Sequence, residues 1–323
     1  MLVRVFKIAF GALLAILFAE MLGLKYTLSA GIIVILSIQE TKKKSLDIAI
    51  LRMKSTTLAL SIASVLFLIF GFHALSFGMY LLCFLPLAFK FNLNDGIAMS
   101  SVLVTHLVSE GYVSANLLLN EFLLLAIGVG IAIVINLYMP KMLPKIKEDQ
   151  MKIEREFREI LLFLSDKARH QIRDVDEQAL FSSLKTLLME AQQRAVHNRE
   201  NYLLVEMTYY TQYMHMRLQQ LEVLLRMAQI LDKVEIALEQ THLIADLTEQ
   251  FARTLHEFNT GCELIAQTQT VLDVFRNQPL PKTREEFENR AMLFQYLNEF
   301  HYLLEIKRDF INHLIPEERA LFN

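Results

Sequence analysis

From its start to about residue 140 the chain is almost continuously apolar, while from about residue 145 to 323 charged side chains recur throughout. A helix needs about 20 apolar residues to cross the hydrocarbon region of a bilayer. Six runs of suitable character can be drawn in the first part, at roughly 5–23, 26–39, 55–73, 75–91, 95–111 and 117–139. The first, third and sixth are comfortable, and the second is short. Its small residues, in TLSAGIIVILSIQ, suit a helix buried among others, because they allow close backbone approach. The net charge of −3 averages two unlike halves and shows no basic excess of the kind that marks a nucleic-acid partner.

Orientation follows from the stretch Gln39–Thr57, QETKKKSLDIAILRMKSTT. Lys and Arg beside membrane segments are retained on the cytoplasmic side. With a cytoplasmic N-terminus and six crossings, the inner flanks hold Arg4, Lys7, Lys42, Lys43, Lys44, Arg52, Lys54, Lys90, Lys141, Lys145 and Lys147, and the outer turns hold only Lys25. That asymmetry requires an even number of crossings and predicts a multi-pass protein with both termini cytoplasmic. Arg4 and Lys7 precede the first run as in a signal peptide, but no small-residue cleavage site follows, so the run reads as a retained span. Cys83 and Cys262 fall in different environments and lack metal or redox spacing, which excludes a structural disulfide as an expectation.

Ionisable groups inside apolar helices are costly and are candidate functional positions. Five stand out: Glu20, Arg52, Lys54, His106 and Glu121. Glu20 reads either as an interfacial residue or as facing a shared polar pathway. Glu121 reads as snorkelling outward or as pairing with a charge on another helix. His106 shares a helix face with Glu110, four residues on, a spacing compatible with a proton relay or half of a metal site. Asp95 is placed to cap or complement the start of the fifth helix. Lys42, Lys43 and Lys44 read as topology and anionic-lipid contact, at about 1 kcal/mol per basic residue, or with Arg52 and Lys54 as a funnel drawing anions to the cytoplasmic mouth; Arg52 begins an apolar helix. Neither G-x-S-x-G, nor a P-loop, nor H-E-x-x-H occurs, so no enzyme, no cofactor and no self-contained ATP-driven pump is expected.

Pro140 and Pro144 are read as ending the last span, followed by a basic linker over 141–148. Beyond it, apolar residues return at helical spacing: Ile153, Phe157, Ile160, Leu161 and Leu164; then Leu218, Leu221, Leu225, Ala228 and Leu231; then Ile244, Leu247, Phe251, Leu255 and Phe258. Long polar helices with few turn residues predict an antiparallel bundle over 149–323. Thr283 and Glu286 form a capping-box pattern opening a last helix that runs to about Leu314. Tyr202, Tyr209, Tyr210 and Tyr213, with Met207, Met214 and Met216, read as core or as the lining of a ligand cavity. Arg284, Glu285, Glu288 and Arg290 read as a solvated helix face. The expected fold is all-α, a six-helix transmembrane domain over 1–140 followed by a cytoplasmic helical bundle.

Four segments resemble the bacterial aromatic acid exporter family 1, within the fusaric-acid-resistance-like transporters. They are AGIIVILSIQETKKKSLDIAILRMKSTT and KFNLNDGIAMSSV in the apolar half, and YYTQYMHMRLQQLEVLLRM and PLPKTREEFENRAMLFQYLNEFHYLLEIKRDF in the polar half. Relatives usually follow the arginine with a small Gly-Thr step where this chain has Lys54, Ser55 and Thr56. The resemblance implies a six-helix membrane domain joined to a cytoplasmic helical domain, a homodimer in contact with lipid, and efflux of aromatic or related organic anions across the bacterial plasma membrane; the missing P-loop makes gradient-driven rather than ATP-driven transport the expectation. The residues alone leave a second reading open, a membrane-anchored sensor or assembly protein whose bundle binds a small ligand or a protein partner.

Overall fold

The structure is a computed structural model that describes residues 2–138, 142–170, 175–202, 208–236, 239–259 and 261–319. Pro140, Lys141 and Met207 lie outside the described residues. The fold is all-α, with no strand among the described residues. It divides into two compact units, Met1–Pro140 with Glu200–Val205, and Lys141–Arg199 with Glu206–Asn323.

The first unit contains α1 (Leu2–Met21), α2 (Leu28–Ser37), α3 (Lys42–Phe70), α4 (Ala74–Lys90), a 3-10 turn (Asn94–Gly96), α5 (Ile97–Glu110) and α6 (Ala115–Leu137). Among the described residues, α3 and α6 are long and apolar enough to cross a membrane, and α2 and α4 are apolar but shorter. With 10 residues, α2 spans about 15 Å, half a hydrocarbon layer. The basic stretch is not a connection, because α3 begins at Lys42. Thr41 is extended and its side chain accepts from the Lys44 amide, which caps the helix. Lys and Leu are good helix formers, so the helix starts well before hydropathy rises near Ser55. Within this unit the Lys43 amide also donates to the Glu200 carbonyl and the Lys42 amide to Asn201 Oδ1.

Two apolar clusters hold the unit together. One joins Ala15, Ala30, Ile33, Val34, Leu103, Leu124 and Leu125 across α1, α2, α5 and α6. The other joins Ala59, Ala63, Phe67, Tyr80, Phe84, Leu107 and Leu117 across α3 to α6. Gly128 lets α6 approach α2, since a Cβ there would stand 2.5 Å from Ile33 Cγ2. Asp95 does not cap α5: it lies in the 3-10 turn, and Gly96 occupies the N-cap without a side-chain hydrogen bond. That glycine is required by packing, because a Cβ would stand 2.4 Å from Ser55 Cβ. Ser55 and Thr56 are fully buried. Close approach at the step where relatives have glycine is therefore kept by a glycine on the opposite segment.

The second unit contains α7 (Leu143–Ala168), α8 (Glu177–Arg199), α9 (Tyr209–Leu231), α10 (Glu239–Thr254), α11 (Cys262–Asn277), α12 (Arg284–Asn312) and the short α13 (Pro316–Arg319). Pro144 does not terminate a span; it sits in the first turn of α7, where its missing N–H costs nothing. The first apolar stripe is buried in full. In the second, Leu224 takes the core position and Leu225 faces out; in the third, Phe258 lies beyond the end of α10 and is exposed. Thr283 caps α12 by accepting from the Glu286 amide at 3.1 Å, while Glu286 reaches back to the Lys282 amide at 2.8 Å, one residue earlier than a capping box predicts. Cys83 and Cys262 are both free thiols.

Candidate functional site

The first unit buries two polar groupings in an otherwise apolar interior. The first is centred on Arg52, which is 4% exposed. Its Nη1 donates to Ser37 Oγ and its Nη2 to the Leu36 carbonyl at 2.8 Å, both at the end of α2. Its Nε is buried with no partner. Among the described residues no carboxylate forms an ion pair with it; Asp95 acts on it only through its field. Beside it, Ser100 Oγ donates to Ser55 Oγ at 3.0 Å and lies 3.2 Å from Thr56 Oγ1, which joins α3 to α5 through hydroxyls.

The second grouping is built on the α5–α6 pair. His106 Nδ1 donates to Glu121 Oε2 at 2.6 Å, and Glu121 is fully buried. Glu121 Oε1 also accepts from Asn120 Nδ2 at 3.1 Å. Ser29 Oγ lies 3.1 Å from His106 Nε2, and the Tyr26 ring stacks on the imidazole with centroids 4.0 Å apart. A hydroxyl both donates and accepts. Ser29 can therefore donate to a neutral imidazole and accept from an imidazolium, and His106 can gain or lose a proton without losing either hydrogen bond. Further out, Tyr26 Oη donates to Glu110 at 3.2 Å and Lys25 Nζ to Glu110 at 2.7 Å.

Of the five candidates, the structure brings together His106 and Glu121 and buries Arg52. Glu20 and Lys54 are exposed on the surface of the unit and join neither grouping. His106 does not pair with Glu110, which instead binds Lys25 and Tyr26. The sequence reading missed Ser29, Ser37, Ser100 and Asn120; their only signal is a hydroxyl or amide inside an apolar run. Ile33, between Ser29 and Ser37 along α2, and Leu103, between Ser100 and His106 along α5, belong to one buried apolar cluster with Leu124 and Leu125. A further buried polar residue, Asn136, donates to Ser45 Oγ at 2.6 Å and to the Gln39 carbonyl at 3.0 Å, which ties α6 to the start of α3.

The second unit buries a different kind of charge. Arg217 is 1% exposed; its Nε donates to Tyr213 Oη at 3.0 Å, its Nη1 to Gln220 at 2.9 Å and its Nη2 to Glu154 at 3.3 Å. Tyr213 Oη donates to Glu154 at 2.7 Å and Tyr209 Oη to Glu257 at 2.6 Å, and burial pushes both phenols well up. Lys307 Nζ donates to the Glu257 carbonyl at 2.6 Å. Burial, with the Arg217 charge behind it, lowers its pKa to about 7. The tyrosine and methionine cluster is thus mostly core: Tyr209, Tyr213, Met214 and Met216 are buried, Tyr202 and Tyr210 half-buried. Among the described residues no group of three potential metal ligands converges.

Comparison with known proteins agrees with this two-part arrangement. The family model for aromatic acid exporter family member 1 matches residues 1–139, and the model for that family's C-terminal domain matches residues 144–308. The chain belongs to aromatic acid exporter family 1, and with its two long apolar helices it is a membrane protein. A protein of Bacillus subtilis (strain 168) described as "Uncharacterized protein YqjA" is 32% identical over 307 residues, covering 95% of each chain. A solved chain from Clostridium difficile 630, described as a candidate membrane protein, is 24% identical and covers 52% of this chain and 98% of its own, with a TM-score of 0.48.

Proposed function

We propose that the chain exports aromatic or related organic anions across the bacterial plasma membrane, driven by an ion gradient. In this reading the first unit crosses the membrane six times, both termini and the second unit are cytoplasmic, and a homodimer is the working form. The observation that carries it is Arg52: a buried cation in an apolar unit with, among the described residues, one donor unpartnered and no carboxylate in ion-pair contact. Isolated buried charge is strongly unfavourable, so the position is suited to a diffusing anion that completes it. A guanidinium offers a planar fork of donors that matches a carboxylate.

Two further features support the reading. Lys42, Lys43 and Lys44 put positive charge at the start of the helix that carries Arg52, which raises the local anion concentration. His106 and Glu121 form a buried pair able to exchange a proton while keeping its hydrogen bonds, which suits coupling to a proton gradient.

The test is flux of an aromatic carboxylate in proteoliposomes containing the full chain, with and without an imposed proton gradient. Flux that needs the protein, and rises with the gradient, is the expected result. Absence of flux for every aromatic carboxylate, under both conditions, would count against it and favour a membrane-anchored sensor. Removing residues 150–323 separates the two: flux that survives without its regulation makes the second unit a control module.

A further inference from the structure

We propose that the second unit carries its own binding site for a small aromatic carboxylate, in the groove between α9 and α12, so that the exporter senses its cargo on a surface separate from the buried charges of the first unit. The choice of ligand rests on the export reading above; the existence of the site does not.

The groove has a volume of about 510 Å³, within the range of small-molecule sites. Its floor is apolar and partly aromatic, from Met216, Ile306 and Phe310. Histidines line it from both sides, His215 on α9 and His313 at the C-cap of α12. His313 Nδ1 donates to the Asp309 carbonyl at 2.6 Å, which fixes the ring and leaves Nε2 for a ligand. Thr211, in the same wall, has a buried hydroxyl oxygen with no partner. An unpaired buried hydroxyl is costly, and a ligand oxygen would satisfy it. The one carboxylate of the lining, Asp309, accepts from Arg308 Nε and Nη2 at 3.2 Å each, so its charge is already countered.

These features define a class of ligand. A planar ring fits over the Met216 and Phe310 floor, where aromatic and thioether contacts are favourable. A carboxylate fits between two imidazoles, which are donors when protonated. An aliphatic acid of equal charge gains only the second set of contacts.

The experiment is calorimetric titration of the purified full-length protein in detergent with 4-hydroxybenzoate as probe and hexanoate as control. Expected is saturable binding of the benzoate, weaker by at least tenfold for hexanoate. His215→Ala with His313→Ala should weaken benzoate binding at least tenfold. Gln219→Trp, at an exposed wall position outside the core, should do the same by filling the groove; its far-UV spectrum and melting temperature should match the wild type. Lys145→Glu, at an exposed position outside the groove lining, should leave the affinity unchanged. Wild-type affinity in the His and Trp variants would overturn the proposal, as would a loss in these variants accompanied by a change of oligomeric state, which would make the groove an interface between copies. Binding without flux leaves this site standing and removes the export reading; flux without binding does the reverse.

Discussion

Arg52 and Arg217 are both buried guanidinium groups, and the contrast between them separates what holds this protein together from what it is built to do. Arg217 has each nitrogen engaged, a carboxylate at 3.3 Å, and the rings of Phe157 and Tyr213 within 5.2 Å and 5.1 Å of its central carbon. Arg52 has a hydroxyl, a carbonyl and an unpartnered Nε. A buried ion pair completed from within the chain is a structural element, and its removal is felt as lost stability. A buried cation left incomplete is a structural cost, retained where something outside the chain completes it.

The largest stability effect should therefore lie in the second unit. Arg217→Ala strands Glu154 and Tyr213 in the core, and breaking such a pair costs about 3–5 kcal/mol. Denaturant unfolding of the full chain should show the transition of this unit moved to lower concentration. An unchanged transition would remove the distinction between the two arginines. The next effect is at Gly96. An added Cβ meets Ser55 at 2.4 Å, and overpacking of this kind costs about 1–3 kcal/mol. Gly96→Ala should lower thermal stability, and Ser55→Gly in the same chain should restore most of it. No recovery in the double variant would mean that the two segments do not meet there.

The smallest effect is a pH dependence from Lys307. Its pKa is depressed to about 7 in the folded state against 10.5 for the free group. Between those values the unfolded chain binds more protons, so stability should rise with pH across that window. The gain is absent below about pH 7, where both states are protonated. Hydrogen exchange of α9 and α12 amides should slow, relative to its intrinsic rate, from pH 7 to 9, and Lys307→Met should flatten the trend. An equal slope in the variant would assign the effect elsewhere.

Much of this was legible in the sequence and some of it could not be. Helix positions in the first unit followed hydropathy closely where a glycine punctuates the chain, as at Gly71 and Gly111, both at positive φ. The start of α3 did not, because hydropathy reports burial whereas Thr41 and the lysines decide where helix begins. The stripe through Ile153 and Leu164 was plain from its period; Leu224 and Leu225 were confused because adjacent leucines fit the period equally well. Arg52, His106 and Glu121 were visible as costly residues in apolar runs. Their partners were not. Ser37 is 15 residues from Arg52 across a turn, and the i,i+4 spacing of His106 and Glu110 pointed along α5 when the true partner lies across the α5–α6 turn. Residues at similar distances from a short connection face each other in adjacent helices, and that rule, applied around 111–114, brings 106 near 121.

The central claim, that Arg52 is completed by the transported anion, is tested most directly by substrate flux in proteoliposomes for Arg52→Gln, Arg52→Glu and Lys145→Glu against the wild type, with melting temperatures measured alongside. The account predicts that both Arg52 variants lose at least tenfold in flux while melting within a few degrees of the wild type, and that Lys145→Glu transports nearly normally. Equal losses at Arg52 and Lys145 would contradict it, and so would Arg52 variants that transport at the wild-type rate.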